Sequence, residues 1–267
     1  MDDLNPLPEQ THESPFPSEP TWRVAGASVR GTGHVKAGLP CQDAHDVRVS
    51  LGPDGVPLLI AVASDGAGSA RHAEDASRAA CEFATARAEH LVWHDGLTLD
   101  RLSPAGLIAD VRAHLEQLAA SRDWAVRDLY CTFLMALILP DAALFMQVGD
   151  GAIVFGSGDM DMAFWPLGGE YANETHFVVS ASNDQVHARF VAGPVTSVAL
   201  LTDGLQMVAL NMQQREPHRP FFDAFFQALQ QMPERAAFET ALARTLEDDR
   251  INARTDDDKT LVVALLT

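Results

Sequence analysis

Continuous apolar runs that border acidic residues dominate the hydrophobic pattern of the chain. Each run is long enough for a strand buried on both faces. Four runs share this feature: residues 58–64 before Asp65-Gly66, residues 142–148 before Gly149-Asp150-Gly151, residues 195–202 before Asp203-Gly204, and residues 261–266 after Asp256-Asp257-Asp258. A single Asp-Gly pair is usually a plain turn, and Asp54-Gly55, which no apolar run precedes, is predicted to be a hairpin turn. The agreement of the other junctions predicts acidic residues that converge at one rim of a β core.

Helical spacing appears in two pairs of segments. Apolar positions between residues 72 and 92 recur at helical intervals, and Ser103-Pro104 provides a capping hydroxyl and a first-turn proline for a second helix. The later pair consists of an aromatic stripe over residues 221–229 and a helix opened by Pro233. Strands, two helices, more strands, two helices and a last strand indicate an α+β fold. The predicted architecture is an antiparallel β-sandwich flanked by helix pairs.

The remaining segments set the expected boundaries. Five prolines among acidic and polar residues predict that residues 1–20 form a disordered tail, and residues 21–267 then form one domain. The glycines between residues 31 and 38 predict a loop, and residues 177–180 are predicted to be a short strand.

Composition narrows the class of partner. The chain has 267 residues and a formal net charge of −18, which argues against nucleic acid and against an anionic membrane surface as partners. Its three cysteines are scattered and read as reduced thiols, and no apolar stretch reaches the length of a membrane span. We therefore expect a cytoplasmic protein whose acidic surplus suits metal cations.

Asp65 makes the metal hypothesis specific. A carboxylate at the end of a buried strand is costly to desolvate unless a positive charge lies beside it. No Lys or Arg occurs within five residues of Asp65 on either side, so the local sequence offers no ion-pair partner. A divalent cation is the natural candidate, and carboxylate and carbonyl oxygens favour Mg²⁺ or Mn²⁺ over zinc.

The order of the acidic motifs resembles that of the metal-dependent protein phosphatases of the PP2C type. The resemblance spans about residues 24–266 and is greatest for the divergent bacterial subgroup, to which residues 169–175 are also similar. The motifs that carry it are Gln42-Asp43, Asp65-Gly66-Ala67-Gly68, Cys131-Thr132, Gly149-Asp150-Gly151, Thr202-Asp203-Gly204 and Asp257-Asp258-Lys259-Thr260.

The resemblance implies a two-metal Mg²⁺ or Mn²⁺ centre. Such a centre hydrolyses phosphoserine and phosphothreonine by attack of a hydroxide that bridges the two ions, and the substrates implied are phosphoproteins made by a Ser/Thr kinase. Asp65, Asp203 and Asp257 take the catalytic positions. By position, Asp65 would bind both ions, and the Gly66 carbonyl would bind the second. Asp203 and Asp257 would complete the first ion, and Asp43 would support the second. Asp150 would help to hold a third ion.

The sequence also departs from the family pattern. Gln42 replaces a glutamate, Gly151 a serine and Asp258 an asparagine, and the arginine that usually binds phosphate is missing from its place. Lys36 lies closest to the position of that arginine and is the predicted phosphate ligand, with Arg30 and His34 as rivals. Two alternatives stay open at this point: an inactive module that binds phosphoproteins, and a hydrolase of small phosphorylated molecules.

Overall fold

The computed structural model describes residues 21–166, 175–232 and 234–267. The predicted N-terminal tail, most of the segment at 169–175 and Pro233 lie outside these ranges. Within them, no helix is both long and apolar enough to cross a membrane.

Two five-stranded antiparallel sheets form the centre of the fold. One sheet has the strand order β1-β12-β9-β6-β7, and the other has the order β2-β3-β4-β5-β8. The strands are β1 (Trp22–Val29), β2 (Ala44–Leu51), β3 (Pro57–Ser64), β4 (Phe133–Leu139), β5 (Ala142–Val148), β6 (Ala152–Gly156), β7 (Met160–Met162), β8 (His187–Ala192), β9 (Ser197–Leu201) and β12 (Lys259–Leu266), with the short pair β10 (Leu210–Asn211) and β11 (Glu216–Pro217) outside the two sheets.

Helices cover the outer faces of both sheets. The helices are α1 (Thr32–Ala37), α2 (Ala73–Trp93), α3 (Pro104–Arg122), α4 (Gln206–Ala209), α5 (Arg219–Gln231), α6 (Arg235–Leu246) and α7 (Asp249–Asn252). Helices α2 and α3 share an apolar cluster with the β2–β8 sheet, while α5 and α6 share one with the β1–β7 sheet. The predicted α+β sandwich with flanking helix pairs is confirmed.

Alternation of side chains explains the continuous apolar runs. In β3, Leu58, Ile60 and Val62 pack toward α2 and α3, whereas Leu59 and Ala61 pack into the layer between the two sheets. Strand β12 divides its side chains between α5–α6 and the same middle layer. Because successive strand residues point to opposite faces and both faces are covered, these strands are apolar throughout.

Strand register gathers the ends of the acidic runs at one rim. Ala44 pairs with Ser64, so Asp43 and Asp65 lie at the same end of the β2–β3 pair. In the facing sheet, Leu261 pairs with Leu201, which places the residues before β12 beside those after β9.

Two local expectations were wrong. Residues 32–37 form helix α1 instead of a loop, and Gly38 ends it in the left-handed conformation with φ of 70°. A Cβ atom on Gly31 would lie 2.2 Å from the carbonyl carbon of Asp257, so this glycine allows a close tertiary approach. Residues 177–180 are not a strand: residues 178–180 form a turn, and the backbone N–H of Val178 donates to the carbonyl of Cys131 instead of joining a sheet.

Candidate metal centre

Three carboxylates meet at the rim of the sandwich. Asp65, Asp150 and Asp203 each offer one oxygen, and these oxygens all lie within 4.8 Å of one another. Asp65 follows β3, Asp150 lies in the turn between β5 and β6, and Asp203 follows β9. The cluster therefore draws on both sheets, and it forms only when the sheets are packed together.

The three carboxylates line a cavity of about 370 Å³. Asp257 and His34 also line it, together with the loop of residues 66–69. A larger groove of about 780 Å³ lies against α4 and α7 and contains none of the predicted site residues. The chemistry suggested by the sequence therefore belongs to the smaller, more polar cavity.

Backbone contacts hold the Asp65-Gly66 turn in place. The Asp65 N–H donates to the Thr132 hydroxyl at 3.0 Å, and the Thr132 N–H donates to the Asp65 carbonyl at 2.8 Å. The Gly66 N–H donates to the carbonyl of Gln42 at 3.1 Å. These contacts explain why Cys131-Thr132 accompanies the acidic motifs along the chain.

Asp43 is buried at the edge of the cluster and is only half satisfied. Its Oδ2 accepts hydrogen bonds from the hydroxyls of Thr202 at 2.7 Å and Thr260 at 2.9 Å. Its Oδ1 is buried and has no hydrogen-bond partner among the described residues, and the same holds for Oε1 of Gln42. Such orphaned oxygens are rare in folded proteins and call for a missing ligand.

Burial and mutual repulsion disfavour the charged form of these acids. Burial, with a smaller contribution from neighbouring carboxylates, raises the pKa of Asp43 and of Asp203 to about 7. The pKa of Asp65 is raised well above its usual range for the same reasons, and the pKa of Asp257 is raised mainly by burial. Among the described residues, none of these four acids forms an ion pair with Lys, Arg or His.

This donor set fits a divalent cation. It consists of oxygens alone, and within the described residues it concentrates negative charge without a counter-ion and leaves Asp43 Oδ1 without a hydrogen-bond partner. Hard cations such as Mg²⁺ and Mn²⁺ favour such oxygen ligands.

Asp258 has a structural task that an asparagine would perform differently. Its buried carboxylate accepts the N–H of Gly31 and the N–H of Gln42, each at 2.6 Å. It also accepts the Nδ1–H of His34 at 2.8 Å. One carboxylate thus joins the start of α1, the Gln42-Asp43 segment and a histidine of the cavity wall.

The three basic candidates for phosphate binding lie in different places. His34 lines the cavity, and 15% of its side chain is exposed. Arg30 is exposed and donates to the carbonyl of Leu39 at 3.2 Å, and Lys36 is exposed on α1. Neither Arg30 nor Lys36 is among the described residues that line the cavity.

Sequence reasoning missed several supporting residues. The Lys259 ammonium is buried and donates to Asn252 Oδ1 at 2.9 Å and to the carbonyl of Asp257 at 3.4 Å, which fixes the loop before β12. Burial lowers the pKa of Lys259. Thr175 donates to Asp150 Oδ2 at 2.9 Å. The position of Lys259 and Thr260 directly after an acidic motif could have indicated that they support the site.

Comparison with known proteins identifies the family. The family model described as Protein phosphatase 2C matches residues 30–247. The chain belongs to the protein phosphatase 2C family. It is 37% identical over 249 residues to Serine/threonine-protein phosphatase 3 of Escherichia coli (strain K12), and the match covers 92% of this chain and 98% of that protein. The resemblance seen in the motif order is thereby confirmed.

Solved structures show the same fold at lower identity. A bacterial serine phosphatase superposes on this protein phosphatase 2C chain with a TM-score of 0.59 at 14% identity, covering 92% of this chain and 98% of the other. The Ser/Thr phosphatase Stp1 from Staphylococcus aureus gives a TM-score of 0.56 at 14% identity, covering 92% and 96%.

The raised pKa values predict an unusual pH dependence for the metal-free protein. Between the usual Asp pKa of 3.8 and the folded-state value of about 7, the folded protein binds more protons than the unfolded chain at Asp43 and Asp203. The contribution of these two acids to the free energy of unfolding should therefore rise as pH falls from about 8 to about 5, by up to about 1.4 kcal/mol for each unit by which a pKa is raised. Burial lowers the pKa of His45 and of His114 from 6.5, which opposes this rise, so the contribution of the acids is read from the difference between the wild type and Asp203→Asn. Thermal melts of both proteins in chelator across this range measure it. A difference that does not change with pH would contradict the prediction.

Asp203→Asn tests whether repulsion among the carboxylates destabilises the metal-free protein. The substitution removes one repelling charge at similar shape, so the metal-free variant should melt at or above the temperature of the wild type. Mn²⁺ at about 100 times its Kd should stabilise the wild type by roughly 2.7 kcal/mol, and the variant by much less. The measurement is a melting curve of each protein with chelator and with Mn²⁺. A variant that is weakened in chelator and gains fully from Mn²⁺ would make Asp203 a purely structural residue.

Proposed function

We propose that this chain is a metal-dependent protein phosphatase that hydrolyses phosphoserine and phosphothreonine. The observation that carries the proposal is the convergence of Asp65, Asp150 and Asp203 oxygens within 4.8 Å in a cavity. Membership of the protein phosphatase 2C family supplies the reaction class. Phosphoproteins are the substrates, so a protein Ser/Thr kinase is the class of enzyme that supplies them. We place the reaction in the cytoplasm, on the basis of the acidic charge and the unpaired thiols.

The proposed cofactor is a pair of Mg²⁺ or Mn²⁺ ions, with a third as an option at Asp150. The residues that would hold them are Asp43, Asp65, Asp150, Asp203, Asp257 and the Gly66 carbonyl. When bound, such ions supply Lewis-acid activation of water and neutralise charge on the phosphoryl group.

The protein itself contributes orientation and charge placement. The rigid rim holds the carboxylates of Asp65 and Asp203 close together although they repel each other. Three observations support His34 as the residue that contacts the substrate phosphate: it lines the cavity, its ring is oriented by Asp258, and its Nε2 makes no hydrogen bond among the described residues. A nitrogen oriented in this way can donate to a phosphate oxygen or to the leaving oxygen.

The family assignment favours a protein phosphatase over both alternatives. An inactive binding module rests on the departures at Gln42 and at the missing arginine, whereas all five acids proposed as ligands are present. A hydrolase of small molecules would share the metal centre and differ in its substrate, so a comparison of phosphopeptides with nucleotides distinguishes it.

Metal and thiol reagents separate the proposed mechanism from nucleophilic catalysis by cysteine. Hydrolysis of phosphoserine and phosphothreonine peptides should require Mn²⁺ or Mg²⁺ and should cease with chelator. Alkylation should leave it intact, because burial raises the pKa of all three thiols: Cys81 and Cys131 are fully buried, and the pKa of the partly exposed Cys41 is raised as well. Phosphate release from phosphopeptides and from nucleotides is compared under the same conditions. Activity that survives exhaustive chelation, or a preference for nucleotides, would refute the proposal.

The basic residues can be ranked by kinetics. His34→Gln should lower kcat/KM for phosphopeptides by about 100-fold, which is typical for loss of a positioned proton donor. Lys36→Ala is the matched control, because Lys36 belongs to the same helix but does not line the cavity. It should change kcat/KM by less than about threefold, as expected for an exposed charge. A larger effect from Lys36→Ala or Arg30→Ala than from His34→Gln would assign the phosphate to that residue instead.

A further inference from the structure

A chain of hydrogen bonds runs from Asp43 to a histidine on the neighbouring part of strand β2. Thr260 Oγ1 donates to Asp43 Oδ2 at 2.9 Å. Ser28 Oγ lies 2.7 Å from Thr260 Oγ1, and His45 Nδ1 lies 2.8 Å from Ser28 Oγ. These side chains come from β1, β2 and β12, so the chain of contacts joins the two sheets. We call His45, Ser28 and Thr260 the hydroxyl relay.

With Asp43 ionised, as a bound cation would keep it, the direction of every hydrogen bond in the relay is fixed. An ionised carboxylate only accepts, so Thr260 must give its single hydroxyl proton to Asp43. The Ser28 hydroxyl must then donate to Thr260, and the His45 Nδ1–H must donate to Ser28. His45 is thereby assigned the tautomer that carries a proton on Nδ1.

Thr202 completes the environment of the same carboxylate oxygen. The Thr260 N–H donates to Thr202 Oγ1 at 2.9 Å, which occupies an acceptor position and leaves the Thr202 hydroxyl proton for Asp43. Both hydroxyls therefore contact Oδ2, while Oδ1 is buried without a partner in the described part of the chain. The Asp43 carboxylate is thus hydrogen-bonded through Oδ2, and Oδ1 accepts no hydrogen bond from the described residues.

Gly26 makes room for the far end of the relay. A Cβ atom on Gly26 would lie 2.4 Å from Cδ2 and 2.6 Å from Nε2 of the His45 imidazole. Glycine weakens the interior of a strand, and its presence often marks a close approach by another group. Here that group is His45, so the position of the imidazole determines which residue β1 can carry.

We infer that His45, Ser28 and Thr260 are positioning residues that hold Asp43 through Oδ2 and present Oδ1 to the metal. The inference rests on the proposed function, since it concerns a ligand of the same metal centre. His45 and Ser28 act only through Thr260 and do not line the cavity as described. Hydrogen-bond partners of metal ligands set the orientation of those ligands, and their loss typically weakens metal affinity by about 10–100-fold.

Thr260→Val and Thr260→Ser test the inference directly. Valine keeps the shape but cannot donate, so the Kd for Mn²⁺ measured by calorimetry should rise by about 10–100-fold. Serine keeps the hydroxyl and should restore a Kd within about threefold of the wild type, because the donor to Asp43 is retained. Thr85→Val is the matched control: Thr85 is also fully buried, but its hydroxyl bonds the carbonyl of Cys81 within α2. That variant should bind Mn²⁺ as the wild type does.

Two variants probe the relay without touching Thr260 or Asp43. Ser28→Ala removes the middle link, and Gly26→Ala displaces the His45 ring while every polar side chain remains. Each should weaken Mn²⁺ binding by several-fold, a smaller effect than that of Thr260→Val because each acts one or two links further from the ligand. These variants also decide the matter if Thr260→Val does not fold.

The outcomes separate this inference from the proposed function. If the wild type binds no Mn²⁺, the proposed function fails. If the wild type binds Mn²⁺ and the folded Thr260→Val, Ser28→Ala and Gly26→Ala variants bind it equally well, only the positioning role is overturned. Equal losses in Thr260→Val and Thr260→Ser would overturn it too, because the hydroxyl would then be irrelevant.

Discussion

Charge repulsion among the carboxylates at the rim of the sandwich has to be overcome by packing elsewhere in the fold. Asp65, Asp150 and Asp203 are brought together there, and burial and neighbouring carboxylates raise the pKa of Asp65 and of Asp203. An isolated loop would relax by moving such groups apart. Here each acid follows or precedes a strand that is buried on both faces, so the packing of two sheets and two helix pairs opposes that relaxation. A bound cation would turn the same repulsion into attraction.

The rim is organised by backbone and hydroxyl groups instead of by basic side chains. Thr132 fixes the Asp65 turn, and Thr202 and Thr260 fix Asp43. A Lys or Arg in their place would neutralise the acids and compete with a metal for their oxygens, whereas a hydroxyl donates a hydrogen bond without cancelling the charge. Lys259 also spares a carboxylate: its ammonium contacts the carbonyl of Asp257, and the Asp257 side chain forms no ion pair within the described residues.

Departures from the family pattern become coherent when they are read together. The missing arginine and the exchange of asparagine for Asp258 are separate anomalies in the sequence. In the structure, Asp258 orients His34, and His34 lines the cavity that Lys36 and Arg30 do not reach in the described residues. The contact of Asp258 with His34 therefore supports the proposed role of His34 at the substrate phosphate.

Most strands, both helix pairs and the order of the acidic motifs can be predicted from the sequence, because burial on two faces and helical periodicity leave a local pattern. It also singled out Asp65, whose lack of a nearby cation is visible within a few residues. Tertiary structure alone decided that residues 32–37 form a helix, since Gly31 serves a contact with Asp257 more than 200 residues away. It alone paired His34 with Asp258 and joined His45 to Asp43 through Ser28 and Thr260. Hydrogen bonds between groups so distant in sequence have no local periodicity, and they exist only once the two sheets have packed.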